Sequence, residues 1–274
     1  MRREFAASVA VCLCAATLAS AAPAPPKPGV PDLSGFFFRI GDLWFDPSEE
    51  GGGKPVQRLD VDSPDAENIW AGDWNNPILQ PWARDIVRKN AESEMHLQHV
   101  YTADDSCWPS GVPQAVNLLD DVQFLQTKDR VTILYQRNHQ VRHVWLNQAH
   151  SRNVKSSWYG ESVGRYEDGA LVVDTIGLKA HKMSVVDAFG TPHTEQLHVV
   201  ERYLPYSTPF GKRIQVTVEV TDPGAFTAPW KGTAEYQQER GVEQLEEWIC
   251  AENNRDFANG STFGTLPQQK TPDF

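Results

Sequence analysis

The sequence predicts a mainly β protein built from one antiparallel sheet, either an up-and-down barrel or a curved open sheet. Apolar and polar residues alternate with a period of two in successive segments after Cys107, and short turn signals join these segments. No strand pattern alternates with a helical one, which argues against a parallel sheet. A chain of 274 residues is long enough for one large domain of this class. A closed barrel of this size would hold one ligand inside.

The first 34 residues are predicted to precede the folded domain. Residues 1–21 have the pattern of a secretory signal peptide, with a basic start, an apolar run and the small residues Ala19, Ser20 and Ala21. The apolar run is too short to span a bilayer comfortably, so we expect no membrane span after the peptide is removed. Residues 22–34 are Pro-rich and predict an extended tether. The sequence therefore predicts a periplasmic or secreted protein.

A single domain is predicted over residues 35–255, with one helix near its start. Within residues 78–95, Leu79, Trp82 and Ile86 recur near helical spacing, opposite a charged face. The later segments that follow the strand period or form hairpins are Val131–Arg137, Gln140–Leu146, Ser156–Leu178, Glu195–Tyr203, Arg213–Thr221, Thr233–Gln238 and Val242–Ile249. Residues 256–274 predict a loosely ordered tail.

Two cysteines remain after the signal peptide, Cys107 and Cys250. Two cysteines in an exported protein most simply pair, so the sequence predicts one disulfide bond between them. The alternative is a pair of buried free thiols.

The composition limits the kinds of molecule that we expect this protein to bind. The formal net charge of −11 argues against nucleic acid and anionic membranes. The chain has no P-loop, no dinucleotide-binding glycine motif and no HExxH zinc motif, so we expect no cofactor. Nine Trp, seven Tyr and twelve Phe supply side chains that line pockets for flat ligands, so a small apolar or aromatic molecule is the expected partner. A homodimer is compatible with these features, although the sequence does not determine the oligomeric state.

The histidines predict no specific metal site. His139 and His143 would lie about 13 Å apart on one extended strand, too far apart to share an ion. His96 and His99 could share a helical face, but no carboxylate follows at ligand spacing. A site assembled from several strands stays open as an alternative.

Two predicted strands carry ionisable residues where an apolar pattern would be expected. Asp174 interrupts the apolar run Ala170–Ile176, and neither face of the strand Glu195–Tyr203 is purely apolar. Buried charges need partners, so one interpretation is a structural ion pair of Arg202 with Asp174 or Glu201. The other is a pocket lined by carboxylate, imidazole and guanidinium groups, in which burial tunes a general acid or base.

Several stretches together resemble a large family of secreted, mostly uncharacterised bacterial proteins: PDLSG at 31–35, CWPSGVP at 107–113, SWYGESVGRYEDGALVVDTIGL at 157–178, GTPHTEQLHVVERY at 190–203, VTDPGAFTAPW at 220–230 and EEWICAENN at 246–254. The resemblance implies a single antiparallel, lipocalin-like β-barrel with an N-terminal helical segment. Many members carry Asp-Gly-Arg-x-His-Pro before the Trp-Gly-Ser hairpin. Here only His150 of that motif is kept, and Ser151 replaces the proline. The positions typical of the family include Asp174, His193, Glu195, Glu201 and Arg202.

The first functional hypothesis is a cofactor-independent lyase or isomerase acting on a small apolar, aromatic molecule such as a plant-derived phenolic. The candidate catalytic residues, which would move a proton, are His150, Asp174, His193 and Glu195. The candidate substrate-binding residues are Arg142, Trp145, Trp158, Tyr159 and Arg202, with either arginine stabilising an oxyanion. A non-catalytic lipocalin-like binding protein and a metal-dependent enzyme are the two alternatives.

Overall fold

The computed structural model describes residues 29–41, 46–47, 56–58, 70–95, 100 and 102–250. The predicted signal peptide, the first part of the predicted tether, the tail 256–274 and the pair His96 and His99 lie outside the described residues.

The described residues form twelve strands and one α-helix. The strands are β1 (Gly35–Ile40), β2 (Asp46–Pro47), β3 (Val56–Arg58), β4 (Trp70–Gly72), β5 (Val122–Gln126), β6 (Arg130–Tyr135), β7 (Gln140–Leu146), β8 (Glu161–Glu167), β9 (Ala170–Ile176), β10 (His198–Thr208), β11 (Gly211–Thr221) and β12 (Trp230–Gln238). The helix α1 spans Pro81–Met95. The predicted mainly β class with an early helix is confirmed.

Strand β1 and strands β5 to β12 close into a nine-stranded barrel. They pair in the order β1-β5-β6-β7-β8-β9-β10-β11-β12, and β12 returns to β1 with Phe37 opposite Gln238. The strand β2 adds to β12, and β3 pairs with β4 in a separate small sheet. Closure leaves neither β1 nor β12 as a free edge of the barrel.

The sequence predicted a purely antiparallel barrel, but the barrel contains one parallel pair of strands. Strands β7 and β8 run parallel, with Val144 opposite Ser162 and Leu146 opposite Gly164, whereas the other barrel neighbours are antiparallel. Parallel neighbours need a long crossover connection, and residues 147–160 supply it here. The strand period reads the same for either direction, so it could not reveal this seam.

The last predicted hairpin is also wrong. Residues 242–249 contain no strand, and Trp248 forms an isolated bridge with Arg137. The strand β12 pairs with β11 and with β1, so both of its edges are already occupied. Strand β10 begins at His198, leaving Glu195 in the preceding turn.

The helix packs on the rest of the protein through small side chains. Ala83, Val87 and Ala91 are buried, at the i, i+4 and i+8 positions of one face. A Cβ added to Gly72 would lie 2.7 Å from Val87 Cγ1, so the small sheet approaches the helix closely. Trp82 and Ile86, which the helical pattern placed on the apolar face, are 40% and 38% exposed.

Aromatic and aliphatic side chains fill the barrel. Phe37, Phe124, Tyr203 and Tyr236 are all buried, and the Phe124 ring meets the other three edge-on at centroid distances of 5.7 to 6.2 Å. Such edge-to-face pairs add to the stabilisation that burial provides.

The predicted disulfide is confirmed. The sulfur atoms of Cys107 and Cys250 lie at bonding distance, 2.06 Å, and join positions 143 residues apart. In the described part of the chain, no helix is long and apolar enough to cross a membrane.

Candidate functional site

The parallel seam between β7 and β8 opens into a cleft. Only Val144–Leu146 of β7 pair with β8, so the first half of β7 has no partner strand on that side among the described residues. A cleft of about 650 Å³ lies there. Its lining includes Val141, His143, Trp145, Lys155, Trp158 and Tyr159. In β7, Val141, His143 and Trp145 are exposed and alternate with buried neighbours, so the cleft opens on the outer face of the barrel.

Tyr159 is half-buried and lines this cleft. Its ring stacks on Tyr135 at 5.7 Å with the planes 10° apart, and its hydroxyl donates to Gln140 Oε1. Burial raises the pKa of Tyr135 to about 12. The chain then turns at Gly160, whose φ of +59° favours glycine. A Cβ there would collide with the carbonyl oxygen of Ile176.

Beneath the cleft, a buried ion pair crosses the barrel interior. Arg142 Nη1 donates to Glu201 Oε1 at 2.9 Å, and Nη2 donates to Oε2. Arg142 Nη2 also donates to Thr175 Oγ1 at 2.9 Å, and its Nε donates to Ser162 Oγ at 3.1 Å. The Tyr203 hydroxyl donates to Glu201 Oε1 at 2.8 Å. Every member of this network therefore has a partner, as buried polar groups require.

This network commits Arg142 to the fold. Four of its five N–H groups donate to Glu201, Thr175 and Ser162, and the residue is 1% exposed. Burial disfavours the charged guanidinium, but the facing Glu201 carboxylate outweighs that effect and raises the pKa of Arg142 well above its ordinary value. Its predicted role as an oxyanion donor stays a prediction, which this geometry does not favour.

Four ionisable side chains form a connected chain at the rim of the cleft. Glu161 lines the cleft, and its Oε1 lies 3.1 Å from His150 Nδ1. His150 Nε2 lies 2.9 Å from Asp174 Oδ1, and the same oxygen lies 2.9 Å from His198 Nε2. Ser151 completes the arrangement, donating to Glu161 from its backbone N–H at 2.7 Å and from its hydroxyl at 2.6 Å.

The fold explains why these groups meet. Glu161, Asp174 and His198 lie on the adjacent strands β8, β9 and β10, with side chains on the outer face. Their inward neighbours Ser162 and Thr175 belong to the buried network. The crossover that makes β8 parallel to β7 carries His150 over the three strands.

Hydrogen bonding keeps both carboxylates ionised. Burial raises the pKa of Asp174, but hydrogen bonds from His150 and His198 outweigh it and leave that pKa below the ordinary value of 3.8. The Ser151 hydroxyl contributes most to the lowered pKa of Glu161. A neutral imidazole carries one N–H, so with that hydrogen on Nε2 His150 donates to Asp174, and its Nδ1 can take up a proton that Glu161 has removed. The ring is therefore placed to pass a proton between the two carboxylates.

The other predicted site residues lie elsewhere. His193 is buried, receives a hydrogen bond at Nε2 from the Ser184 hydroxyl at 2.7 Å, and donates from Nδ1 to Thr194 O at 2.9 Å. Glu195 is exposed in a turn. Arg202 donates to the carbonyl oxygens of Glu167 and Asp168, both at 3.1 Å, so it pairs with neither Asp174 nor Glu201.

The structure thus brings together two of the four predicted catalytic residues, His150 and Asp174. Four of the five predicted substrate-binding residues line the cleft: Arg142, Trp145, Trp158 and Tyr159. Glu161 and His198 were missed as site residues. The available signal was their outward position on strands flanking Asp174, which becomes informative only once strand pairing is known.

A G-x-S-x-G spacing at Gly160–Gly164 does not form a nucleophile elbow. Such an elbow places its serine on a sharp turn between a strand and a helix. Here Ser162 lies within β8, is buried, and its hydroxyl accepts from Arg142. The serine is part of the barrel interior.

No protein-family model matches the chain, and neither does any curated protein sequence. Within the part of the chain that the structure describes, no three His, Cys, Asp or Glu side chains are grouped so as to hold a metal ion.

Proposed function

We propose that this protein is a cofactor-independent acid–base enzyme, a lyase or isomerase, acting on a small aromatic molecule bound in the cleft. The observation that carries the proposal is the position of Glu161, a carboxylate that lines the cleft and is hydrogen-bonded to His150. A general base must lie within hydrogen-bond reach of the proton that it removes, and a hydrogen-bonded partner can then take up that proton.

The connected side chains provide a path for a proton. Glu161 removes a proton from the ligand and passes it to Nδ1 of His150, whose Nε2 proton then moves towards Asp174. His198, whose side chain is 41% exposed, contacts the same Asp174 oxygen and links it to solvent. Return of the proton to another ligand atom gives isomerisation, and its delivery to a leaving group gives elimination.

The cleft walls support an aromatic ligand. The Trp145 and Trp158 side chains line it, and each ring is also contacted by a cation. The Arg130 guanidinium carbon lies 5.2 Å from the Trp145 centroid, and Lys179 Nζ lies 5.2 Å from the Trp158 centroid. Cation–π contacts of this kind favour fixed ring positions. The Lys155 side chain also lines the cleft and could pair with a phenolate or carboxylate.

The proposal also includes export from the cytoplasm and a lipocalin-like fold. An exported enzyme of this kind would meet small phenolics outside the cytoplasm, in line with the predicted signal peptide. The lipocalin-like resemblance supports a small-molecule ligand but not a particular reaction. This proposal places that ligand in the surface cleft, because aromatic side chains and the Arg142–Glu201 pair occupy the barrel interior.

The test incubates the protein with a panel of phenolics in D₂O. NMR then measures deuterium incorporation into each phenolic and the formation of product. Glu161→Gln should lower turnover at least about a hundredfold, as expected for loss of a general base, while ligand binding changes little. Glu167→Gln is the matched control, since Glu167 lies on the same strand and pairs with Arg165 on the exposed surface.

Three outcomes would count against the proposal. Turnover that survives in Glu161→Gln removes the assigned base. Tight binding without exchange or product supports the non-catalytic binding protein instead. Turnover lost on chelation and restored by a divalent metal supports the metal-dependent alternative.

A further inference from the structure

A second pocket lies between α1 and residues 180–193. Its volume is about 360 Å³, and its lining includes Trp82, Ile86, His181, Lys182, Pro192 and His193. It shares no lining residue with the cleft. We propose that this pocket binds a small apolar monocarboxylate with a single ring.

The apolar wall of the pocket is held in place. Trp82 is 40% exposed, yet its indole Nε1 donates to Gly224 O at 2.7 Å, which fixes the ring orientation. Asn90 Nδ2 donates to Phe189 O at 3.3 Å and to Gly190 O at 3.0 Å, tying the facing loop to the helix. A preformed wall lowers the entropic cost of binding.

The loop can approach the helix this closely because of Gly190. Its φ is +74°, and a Cβ there would lie 2.5 Å from Asn90 Nδ2. A side chain at this position would push the loop away from α1. The pocket is therefore a built feature of the fold and not a chance surface depression.

The charge of the lining selects an anion. Lys182 is exposed and forms no ion pair or hydrogen bond within the described residues. Among the described residues, no Asp or Glu lines the pocket, although the whole chain carries a net charge of −11. A lysine in a pocket whose described lining carries no carboxylate favours a negatively charged ligand.

The two histidines that line the pocket have neutral rings, which leaves Lys182 as the cation that faces the ligand. His193 uses both ring nitrogens, towards Ser184 and Thr194, so it presents a neutral ring to the pocket. Burial lowers its pKa, which also favours the neutral form. His181 Nδ1 accepts from the Met183 N–H at 3.2 Å, which places the proton of the neutral ring on Nε2.

One lysine suits a ligand with a single negative charge, whereas a phosphate dianion calls for several donors.

The experiment uses 4-fluorobenzoate and its neutral isostere 4-fluorobenzamide, with binding measured by ¹⁹F NMR at low salt. The native chain should bind the benzoate about tenfold more tightly, as one charge-assisted contact provides. The preference should fall as ionic strength rises. Lys182→Met should abolish the preference while leaving benzamide binding unchanged.

Lys128→Met is the matched control, because Lys128 is an exposed lysine that lines neither pocket. It should keep the preference for benzoate. Equal binding of the two probes by the native chain, no saturable binding of the benzoate, or loss of the preference in Lys128→Met as well as in Lys182→Met would each overturn the proposal. Lys155→Met removes the lysine of the cleft, so loss of the preference there instead of in Lys182→Met would place the benzoate in the cleft and would also overturn the proposal. None of these outcomes measures turnover by Glu161, so this inference and the proposed function can fail separately.

Discussion

Arg142 and Glu201 face each other across the barrel interior, from strands β7 and β10, which two other strands separate. The side chains of this ion pair are 1% and 0% exposed. Ser162 and Thr175, on the two intervening strands, donate and accept within the same network. The interaction therefore links all four strands around the parallel seam.

Removing one member of this pair should be costly. Arg142→Met leaves the Glu201 carboxylate buried with only Tyr203 as a donor, and we expect a loss of about 3–5 kcal/mol in the free energy of unfolding. Urea denaturation measures the loss. The double variant Arg142→Met, Glu201→Leu should recover most of it, since no unpaired charge remains. Arg165→Met removes an exposed pair and should cost under about 1 kcal/mol. A loss as small in Arg142→Met as in Arg165→Met would contradict the structural role.

Asp174 should stabilise the fold in a pH-dependent way. Its pKa is lowered below 3.8 in the folded state, so its contribution is present above about pH 4 and is lost as pH falls through the folded pKa. The unfolding free energies of the native chain and Asp174→Asn, measured from pH 7 to pH 2, should therefore converge at the acid end. At pH 7 we expect a difference under about 1 kcal/mol, because the site is partly solvated. A difference that grows on acidification would refute the assigned sign.

Gly160 should tolerate substitution less well than Gly169. Both have positive φ, +59° and +73°, so an alanine at either position costs roughly 1–2 kcal/mol of backbone strain. Only at Gly160 would the new Cβ also meet backbone, the carbonyl oxygen of Ile176, whereas nothing lies within 4 Å at Gly169. Thermal melts of Gly160→Ala and Gly169→Ala make the comparison. Equal melting temperatures would show that the backbone at position 160 can move away from Ile176 at no cost.

The disulfide should contribute substantially to stability. It closes a long stretch of chain between Cys107 and Cys250, 143 residues apart, and such a closure stabilises by about 3–5 kcal/mol. Cys107→Ser, Cys250→Ser should lose this amount in denaturant titrations. The native chain under reducing conditions should approach the double variant, and the double variant itself should not respond to reductant.

His193 should remain neutral below the ordinary histidine range. Burial is the main cause of its lowered pKa, which lies below the ordinary value of 6.5. Because the unfolded chain takes up this proton first, the contribution to stability is complete above about pH 6.5 and falls as pH decreases. An NMR titration of the imidazole Cε1–H resonance should give a midpoint below 6.5. A midpoint at or above 6.5 would show that the buried, neutral assignment is wrong.

The strand pattern of the sequence predicted much of the barrel but not the parallel pairing of β7 with β8. The alternation of Val141, His143 and Trp145 with Arg142, Val144 and Leu146 assigned the two faces of β7 as the structure has them. The same alternation carries no information about strand direction. The parallel seam follows from the long crossover 147–160, and the cleft follows from the seam.

The ion pairs depended on partners that sequence could not choose. Arg202 was a plausible partner for Glu201, since both lie on one strand, but adjacent residues on a strand point to opposite faces. Glu201 points inward to Arg142, 59 positions earlier in the chain, and Arg202 points outward. Asp174 likewise meets His150 and His198 only because β9 and the crossover bring them together.

By itself, the sequence determined the mainly β class, the early helix and the Cys107–Cys250 disulfide, because periodicity and residue counts are local or compositional properties. Tertiary structure alone decided that His150, Glu161, Asp174 and His198 form one connected group and that His193 belongs to another pocket. The physical reason is that strand register and direction determine which distant side chains share a face, and each one-residue shift exchanges the faces.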